Sequence, residues 1–391
     1  MGNRLTFEKP LGMRDTLPFF YEQKQKSEQA LTETMTTWGY QFLDTPMLEY
    51  LDTVGEASAI DETQLFKLLD QQGHTLVLRP DLTAPIARVA ASQLKENGYP
   101  IRLAYSGPVF RAQQIEGGKP AQFDQVGIEY IGEDSVYADA EVISLQIEAL
   151  KAAGLEEFQL TIGHIGFVKG LLNEIFENEE DGDVFLRYLY QKNYVGFQQA
   201  VNDSGIADRD KETLQGLLSL RGNRTRLEDA KELTNNESSK STIDELIKLD
   251  ELLEQYGVSE YVSYDLNLIS HMNYYTGILF EGYAPRIGAL LCNGGRYDQL
   301  LPAFQSEASA TGFAVRLDRL VEALDKENGQ KHGTIVLFDD EYFSEAVETA
   351  QQLRGKGEVA TLQHIREVDD LEQFTNRYAT VINVRRGGES E

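Results

Sequence analysis

Two strand-like runs, IRLAYSGPVFR (101–111) and QFDQVGIEYIG (122–132), stand only ten residues apart, and the loop between them, AQQIEGGKPA, is Gly-rich. So short a connection returns the chain antiparallel, because a parallel neighbour needs a longer crossover. The sequence therefore commits the chain to a long antiparallel hairpin. Side chains alternate between the faces of a strand, so Gln125, Gly127 and Glu129 share one face, and Arg111 at the end of the partner run can reach it. An amide, a carboxylate and an arginine converging on a sheet otherwise made of Val, Ile and Phe point to a polar ligand.

Around the hairpin the first 165 residues read as alternating helices and strands. A polar helix over 20–37 stops at Gly39, and a short strand leads to Pro46. HTLVLRP (74–80) reads as a strand broken by Pro80, and DLTAPIARVAASQLKE opens a helix with Asp81 and Thr83 at its N-terminus, where polar side chains satisfy free N–H groups. SVYADAEVISLQIEALKAAG predicts a helix and FQLTIGH a strand. From 170 to 257 strand signals vanish, and Glu, Asp, Lys and Leu recur at helical spacing, as in STIDELIKLDELLEQYG. Strands return at 262–293, with a helix predicted at roughly 312–326. KENGQKHG reads as a linker, and the remainder as strand–helix–strand–helix–strand. The expected division is 1–169 and 258–326 as two parts of one α+β domain, 170–257 as a helical insertion, and 332–391 as a small α/β unit.

Composition narrows the function. A formal net charge of -28 opposes non-specific binding to nucleic acid, whose phosphates need Lys and Arg. Cys292 is the only cysteine, so no intramolecular disulfide forms, a reducing cytoplasm is the expected setting, and strand packing is the expected role of the thiol. MGNRLTFEKP lacks a signal-peptide core, and its Gly2 and Thr6 fit a myristoylation pattern short enough to arise by chance. No apolar run approaches 18 residues, so no membrane span is predicted. Histidines at 74, 164, 271, 332 and 364 show no metal-ligand spacing, and no phosphate-binding GxxxxGK[ST] or nucleophile elbow is present.

NLISHMNYYTGILFEG (267–282) adds paired tyrosines, Tyr274 and Tyr275, at the start of a strand. Each offers an apolar face and a hydroxyl, which suits a small polar ligand; Tyr275 is the expected contact, with Tyr274 given to packing. LRPDLT, SGPVFR…QFDQVGIEYIG, NYYTGILFE, NGGRYDQL and GFAVRLDRL occur in that order, with GMRDTLP and GYQFLDTPMLE before them. This ordered series resembles the catalytic domain of histidyl-tRNA synthetase over roughly residues 8–165 and 260–325. The resemblance implies an antiparallel class II sheet of six or seven strands flanked by helices, interrupted by a helical insertion. It also implies a histidine pocket. Asp81, in place of a glutamate, and Thr83 would receive the α-amino group. Gln125 would lie on the carboxylate side, Glu129, Tyr274 and Tyr275 would hold the imidazole, and Arg111 is the kept arginine of motif 2.

The same resemblance finds the nucleotide machinery altered. Ser270 stands where the family has the arginine that stabilises charge during adenylate formation. Gln113 and Gln114 replace a motif 2 carboxylate and arginine, Ala121 replaces a basic residue, and Arg316 replaces a motif 3 glycine. A kept amino-acid pocket beside lost ATP chemistry resembles the ATP phosphoribosyltransferase regulatory subunits, which are synthetase paralogues. That resemblance implies a non-catalytic partner of a short-form catalytic subunit in the first step of histidine biosynthesis, with L-histidine as effector and no cofactor. It implies self-association through the motif 1 region, WGYQFLDTPMLEYLD, and no tRNA or membrane partner.

Overall fold

The computed structural model describes residues 7–55, 60–112, 120–176, 178–270, 274–325 and 331–384. The hairpin is formed by Ile101–Phe110 and Gln122–Ile131, in a register that sets Gly107 opposite Gln125, Tyr105 opposite Gly127 and Leu103 opposite Glu129. Beyond it the sheet continues through Ala310–Arg316, Leu290–Arg296, Ile278–Tyr283 and Gln159–His164, each strand antiparallel to the one before. Shorter strands flank this six-stranded antiparallel core: Gln41–Phe42 parallel at the hairpin edge, and Val262–Asp265 and Arg221–Gly222 at the other. The sheet is thus nine-stranded and mixed. Its added strands are two to four residues long, too short for a period of two to register in the sequence.

One sequence expectation is corrected. The predicted helix at 312–326 begins only at Leu317, in Leu317–Leu324, because Ala310–Arg316 is a central strand. Thr311, Phe313 and Val315 face one way and Ala310 and Gly312 the other, and all five are buried. With both faces covered, the run loses the polar alternation that separates a strand from a buried helix.

The two faces of the hairpin pack differently. Ala104, Val126, Ile128 and Tyr130 join a large core with Pro18–Thr37 and Val136–Ala152. Leu103, Tyr105 and Ile131 join a smaller cluster with Ala84, Ile86 and Ala87 of the helix Thr83–Val89. The predicted helical stretch of 170–257 is helical apart from Arg221–Gly222 and connecting turns, and the helix Ile165–Ile175 runs across its start. Ile243, Leu246, Leu249 and Leu253 of Glu237–Gln255 are fully buried and belong to the same core as Val142, Ile143 and Leu150. Each such side chain contributes about 2 kcal/mol by its burial, so the insertion is fastened to the core beneath the helix Val136–Ala152 and not merely tethered. Cys292 is buried in Leu290–Arg296, as expected, and burial pushes its thiol well above the ordinary range.

The chain divides into two compact units, Met1–Asp325 and Lys326–Glu391. The three parallel strands of the second lie in the order Ala360–His364, His332–Phe338, Tyr378–Asn383, with helices Phe343–Gly355 and Leu371–Thr375 between them in the chain. This is the strand–helix alternation read from the sequence. No helix among the described residues is long and apolar enough to cross a membrane.

Candidate functional site

Pro80 ends the strand Thr75–Leu78, and the turn after it is held against the hairpin. The Phe110 backbone N–H donates to the Arg79 carbonyl at 2.9 Å, and Arg111 Nε donates to the Pro80 carbonyl at 2.9 Å. The buried Arg79 guanidinium donates to the carbonyls of Thr45 and Pro108 from beneath. These bonds fix Asp81, whose Oδ1 also accepts from the Ala84 N–H at 3.3 Å, at the head of the helix Thr83–Val89. Asp81 and Thr83 therefore face the Gln125–Glu129 face of the hairpin.

A cavity of about 230 Å³ opens there. Its wall includes Asp81, Thr83, Arg111, Gln125, Glu129, Tyr274 and Tyr275, so the structure brings all seven predicted residues together. Glu129 is 2 % exposed and sits opposite Gly312 on the next strand. A Cβ at Gly312 would collide with the Glu129 carboxylate, and one at Gly127 would fall 2.5 Å from the Tyr105 hydroxyl, so glycine at 312 leaves room for the Glu129 carboxyl and at 127 for the Tyr105 ring. Burial pushes the Glu129 carboxyl up to about 8, against the opposing effect of hydrogen bonds from Tyr297, Thr83 and Tyr105. Gln125 is 5 % exposed, and its Oε1 has no hydrogen-bond partner among the described residues. A buried acceptor left open in this way is costly unless something donates to it. Burial also pulls Arg111 down to about 10, although Asp81 acts to hold it charged.

The two tyrosines are held in different ways. Tyr274 and Tyr275 both line the cavity and meet edge to face at 5.0 Å, and Tyr274 stacks on Tyr297 at 5.4 Å. Tyr275 is placed by Asn293, whose Nδ2 donates to its hydroxyl at 3.1 Å. Tyr105, Tyr297, Asn293 and Lys192, which the sequence did not single out, are also part of the wall. Tyr105 lies on the hairpin, and Asn293 and Tyr297 lie within NGGRYDQL and its neighbourhood, so their signal was present. Lys192 comes from the insertion, and no local pattern links it to the sheet. Glu281, which ends the tyrosine stretch, also reaches the wall.

The positions expected to mark altered nucleotide chemistry separate. Ser270 lines the cavity with a neutral hydroxyl. Arg316 does not line it. It ends its strand opposite Gln125, with its guanidinium 4.1 Å from the Phe123 ring centroid and 3.7 Å from Asp318. Arg111 lies 5.2 Å from the same ring. Ala121 is fully buried, its N–H donating to the Gly12 carbonyl at 2.8 Å. Gln113 and Gln114 lie outside the described residues. Among the described residues no cluster suits a metal ion.

The geometry can be set beside known proteins. A family described as histidyl-tRNA synthetase matches residues 12–320, and one described as histidyl-tRNA synthetase HisZ, C-terminal domain, matches residues 335–384. The ATP phosphoribosyltransferase regulatory subunit of a Geobacillus species is 52 % identical over 385 residues, covering 98 % of each chain. That of Bacillus subtilis is 50 % identical over 375 residues, covering 96 % of each. A crystal structure of an ATP phosphoribosyltransferase regulatory subunit/histidyl-tRNA synthetase from Bacillus halodurans superimposes with a TM-score of 0.90 at 51 % identity, covering 97 % of this chain and 98 % of that one. Histidyl-tRNA synthetase from a Nostoc species shares the fold, with a TM-score of 0.80 at 20 % identity over 95 % of this chain and 89 % of that one. By its sequence over its whole length and by its class II synthetase fold, the chain belongs to the family of ATP phosphoribosyltransferase regulatory subunits.

Proposed function

We propose that this chain regulates ATP phosphoribosyltransferase, the first enzyme of L-histidine biosynthesis, by partnering a short catalytic subunit and binding L-histidine in the cavity. The observation that carries the reading is the make-up of the cavity wall. Asp81, Glu129, the open Gln125 acceptor and the tyrosine hydroxyls offer acceptors for an ammonium group and for imidazole N–H groups, and Arg111 offers a charge for a carboxylate. Adenylation needs fixed positive charge around phosphates. Here Ser270 supplies none, and Arg316 covers the Phe123 ring face and pairs with Asp318. That supports a chain that holds the amino acid and performs no aminoacylation.

The net charge of -28 supports the absence of a tRNA partner. Exposed Met47, Leu48 and Tyr50 in the motif 1 region support self-association there, which the molar mass in solution tests. The decisive experiment is reconstitution. The chain is mixed with the short catalytic subunit of the same organism, and phosphoribosyl-ATP formation is followed with and without L-histidine. The expected result is activation that histidine reverses. Histidine-dependent ATP–pyrophosphate exchange by the chain alone would instead identify a working synthetase.

A further inference from the structure

The cavity wall contains two residues that do not belong to the sheet domain in sequence, Tyr190 and Lys192, both from the helical insertion. Lys192 follows the helix Glu179–Tyr190 and adopts a left-handed backbone, with φ of 53°. Its N–H donates to the Leu189 carbonyl at 2.9 Å, and the Asn193 N–H donates to Tyr188 at 2.9 Å, which closes the helix end. Glycine is the favoured residue at such a position, since a Cβ is strained there. A lysine kept in that conformation is explained by what its side chain does.

That side chain leaves the insertion and reaches the strand Ile278–Tyr283. Its Nζ donates to Glu281 Oε2 at 3.1 Å and to the Tyr283 hydroxyl at 3.2 Å, and Tyr283 in turn donates to Glu281 at 2.5 Å. The lysine side chain is 52 % exposed and the glutamate 12 %. Burial acts to lower the ammonium, but Glu281 and Tyr283 outweigh it and hold Lys192 above the ordinary lysine range. Glu281 lies directly opposite Asn293 in the sheet, and Asn293 holds the Tyr275 hydroxyl. A row of polar side chains thus leads from the insertion to the cavity wall: Lys192 bonds to Glu281, Glu281 stands opposite Asn293 in the sheet, and Asn293 bonds to Tyr275.

We propose that Lys192 is the residue that couples the helical insertion to the cavity: it latches the insertion to the sheet beside Tyr275, so that filling the cavity and fastening the insertion favour one another. The proposal rests on the cavity's being an amino-acid site and adds the route by which occupancy reaches another part of the molecule. Coupling of this kind is reciprocal, so what the ligand does to the latch the latch does to the ligand.

The test uses the full chain and Lys192→Gly, which removes the ammonium while placing the favoured residue at the helix end, together with Tyr283→Phe. Amide hydrogen exchange over residues 186–198 is followed with and without L-histidine, and histidine affinity is measured by calorimetry. In the free chain Lys192→Gly is expected to speed exchange over this segment at an unchanged or higher Tm. Its histidine affinity is expected to fall about fivefold, the scale of one partly exposed ion pair, and histidine is expected to protect the segment in the parent chain but not in the variant. Tyr283→Phe should move both readouts in the same direction by less. Unchanged exchange in the free variant overturns the latch, and faster exchange with unchanged affinity overturns the coupling. If the parent chain binds no histidine, the amino-acid reading fails and the coupling fails with it, while the latch still stands or falls on exchange in the free chain.

Discussion

The proposed amino-acid half and the proposed nucleotide half of this site are built from the same hairpin and neighbouring strands, yet the side chains they carry differ in kind. On the first half, Asp81, Thr83, Arg111, Gln125, Glu129 and two tyrosines converge on one cavity, Gly312 leaves room for the Glu129 carboxyl and Gly127 for the Tyr105 ring. On the second, a serine stands at 270, an alanine is packed against Gly12, and an arginine covers the Phe123 ring face. The scaffold is common to both, so folding alone does not explain the difference. Strands set positions and alternation, whereas ligand choice is set by a few side chains that fill those positions. A polar residue kept in a buried site costs stability unless a partner meets it, and the first half retains several of them.

The comparison is broken most directly at Glu129. Glu129→Ala removes a buried carboxyl group to which several hydroxyls bond and which is proposed to bond the ligand. It is expected to weaken histidine binding about 100-fold, the scale of losing a charged hydrogen bond worth about 3 kcal/mol. Calorimetry measures the loss, and a circular dichroism melt shows that the chain still folds. Affinity within a factor of three of the parent would mean that histidine binds elsewhere.

The nucleotide half is tested by an attempted repair. Ser270→Arg places at the cavity wall the guanidinium that the synthetase resemblance expects there, and loss of one such group costs catalysis about 100- to 1,000-fold. Alone it is expected to leave ATP–pyrophosphate exchange undetectable, because Arg316 still lies over Phe123 and the proposed losses at Gln113 and Gln114 remain. Exchange appearing with this single change would show that the second half is intact apart from one residue.

A smaller effect is expected in the pH dependence of stability. The Glu129 carboxyl titrates near 8 in the empty folded chain, against 4.5 for an ordinary glutamate. Between these values the folded chain holds a proton that the unfolded chain has released, so stability falls as pH rises through the window. The slope from this group is at most about 1.4 kcal/mol per pH unit. Glu129→Gln should remove that contribution, seen as a flatter urea midpoint between pH 5 and 8. An unchanged slope would mean that Glu129 ionises normally and that the cavity is wetter than its walls imply.

What was legible in the sequence follows from how local each feature is. The hairpin declared itself because its strands are ten residues each and nearly adjacent in the chain. Gln125, Gly127 and Glu129 followed from strand period, and Asp81 and Thr83 from a strand–Pro–helix junction. The parallel strand Gln41–Phe42 did not, because two residues carry no period. Ala310–Arg316 was misread because a strand buried on both faces loses its alternation. Lys192 was invisible for a different reason: 89 residues separate it from Glu281, and only the packing of the insertion brings them together.

The finest test of the comparison lies at Asn293, which touches the cavity from the side and holds Tyr275 by one neutral hydrogen bond. Asn293→Ala frees the tyrosine hydroxyl without changing any charge in the wall. A neutral hydrogen bond contributes about 1 kcal/mol, so histidine affinity should fall about fivefold. If Tyr275 is a ligand contact, Tyr275→Phe should cost a similar factor, and the double substitution should cost less than the product, since each removes the same bond. Full additivity, measured by calorimetry on the four chains, would show that Asn293 acts on the ligand independently of Tyr275. The polar route from the cavity toward Glu281 would then have to begin at another side chain.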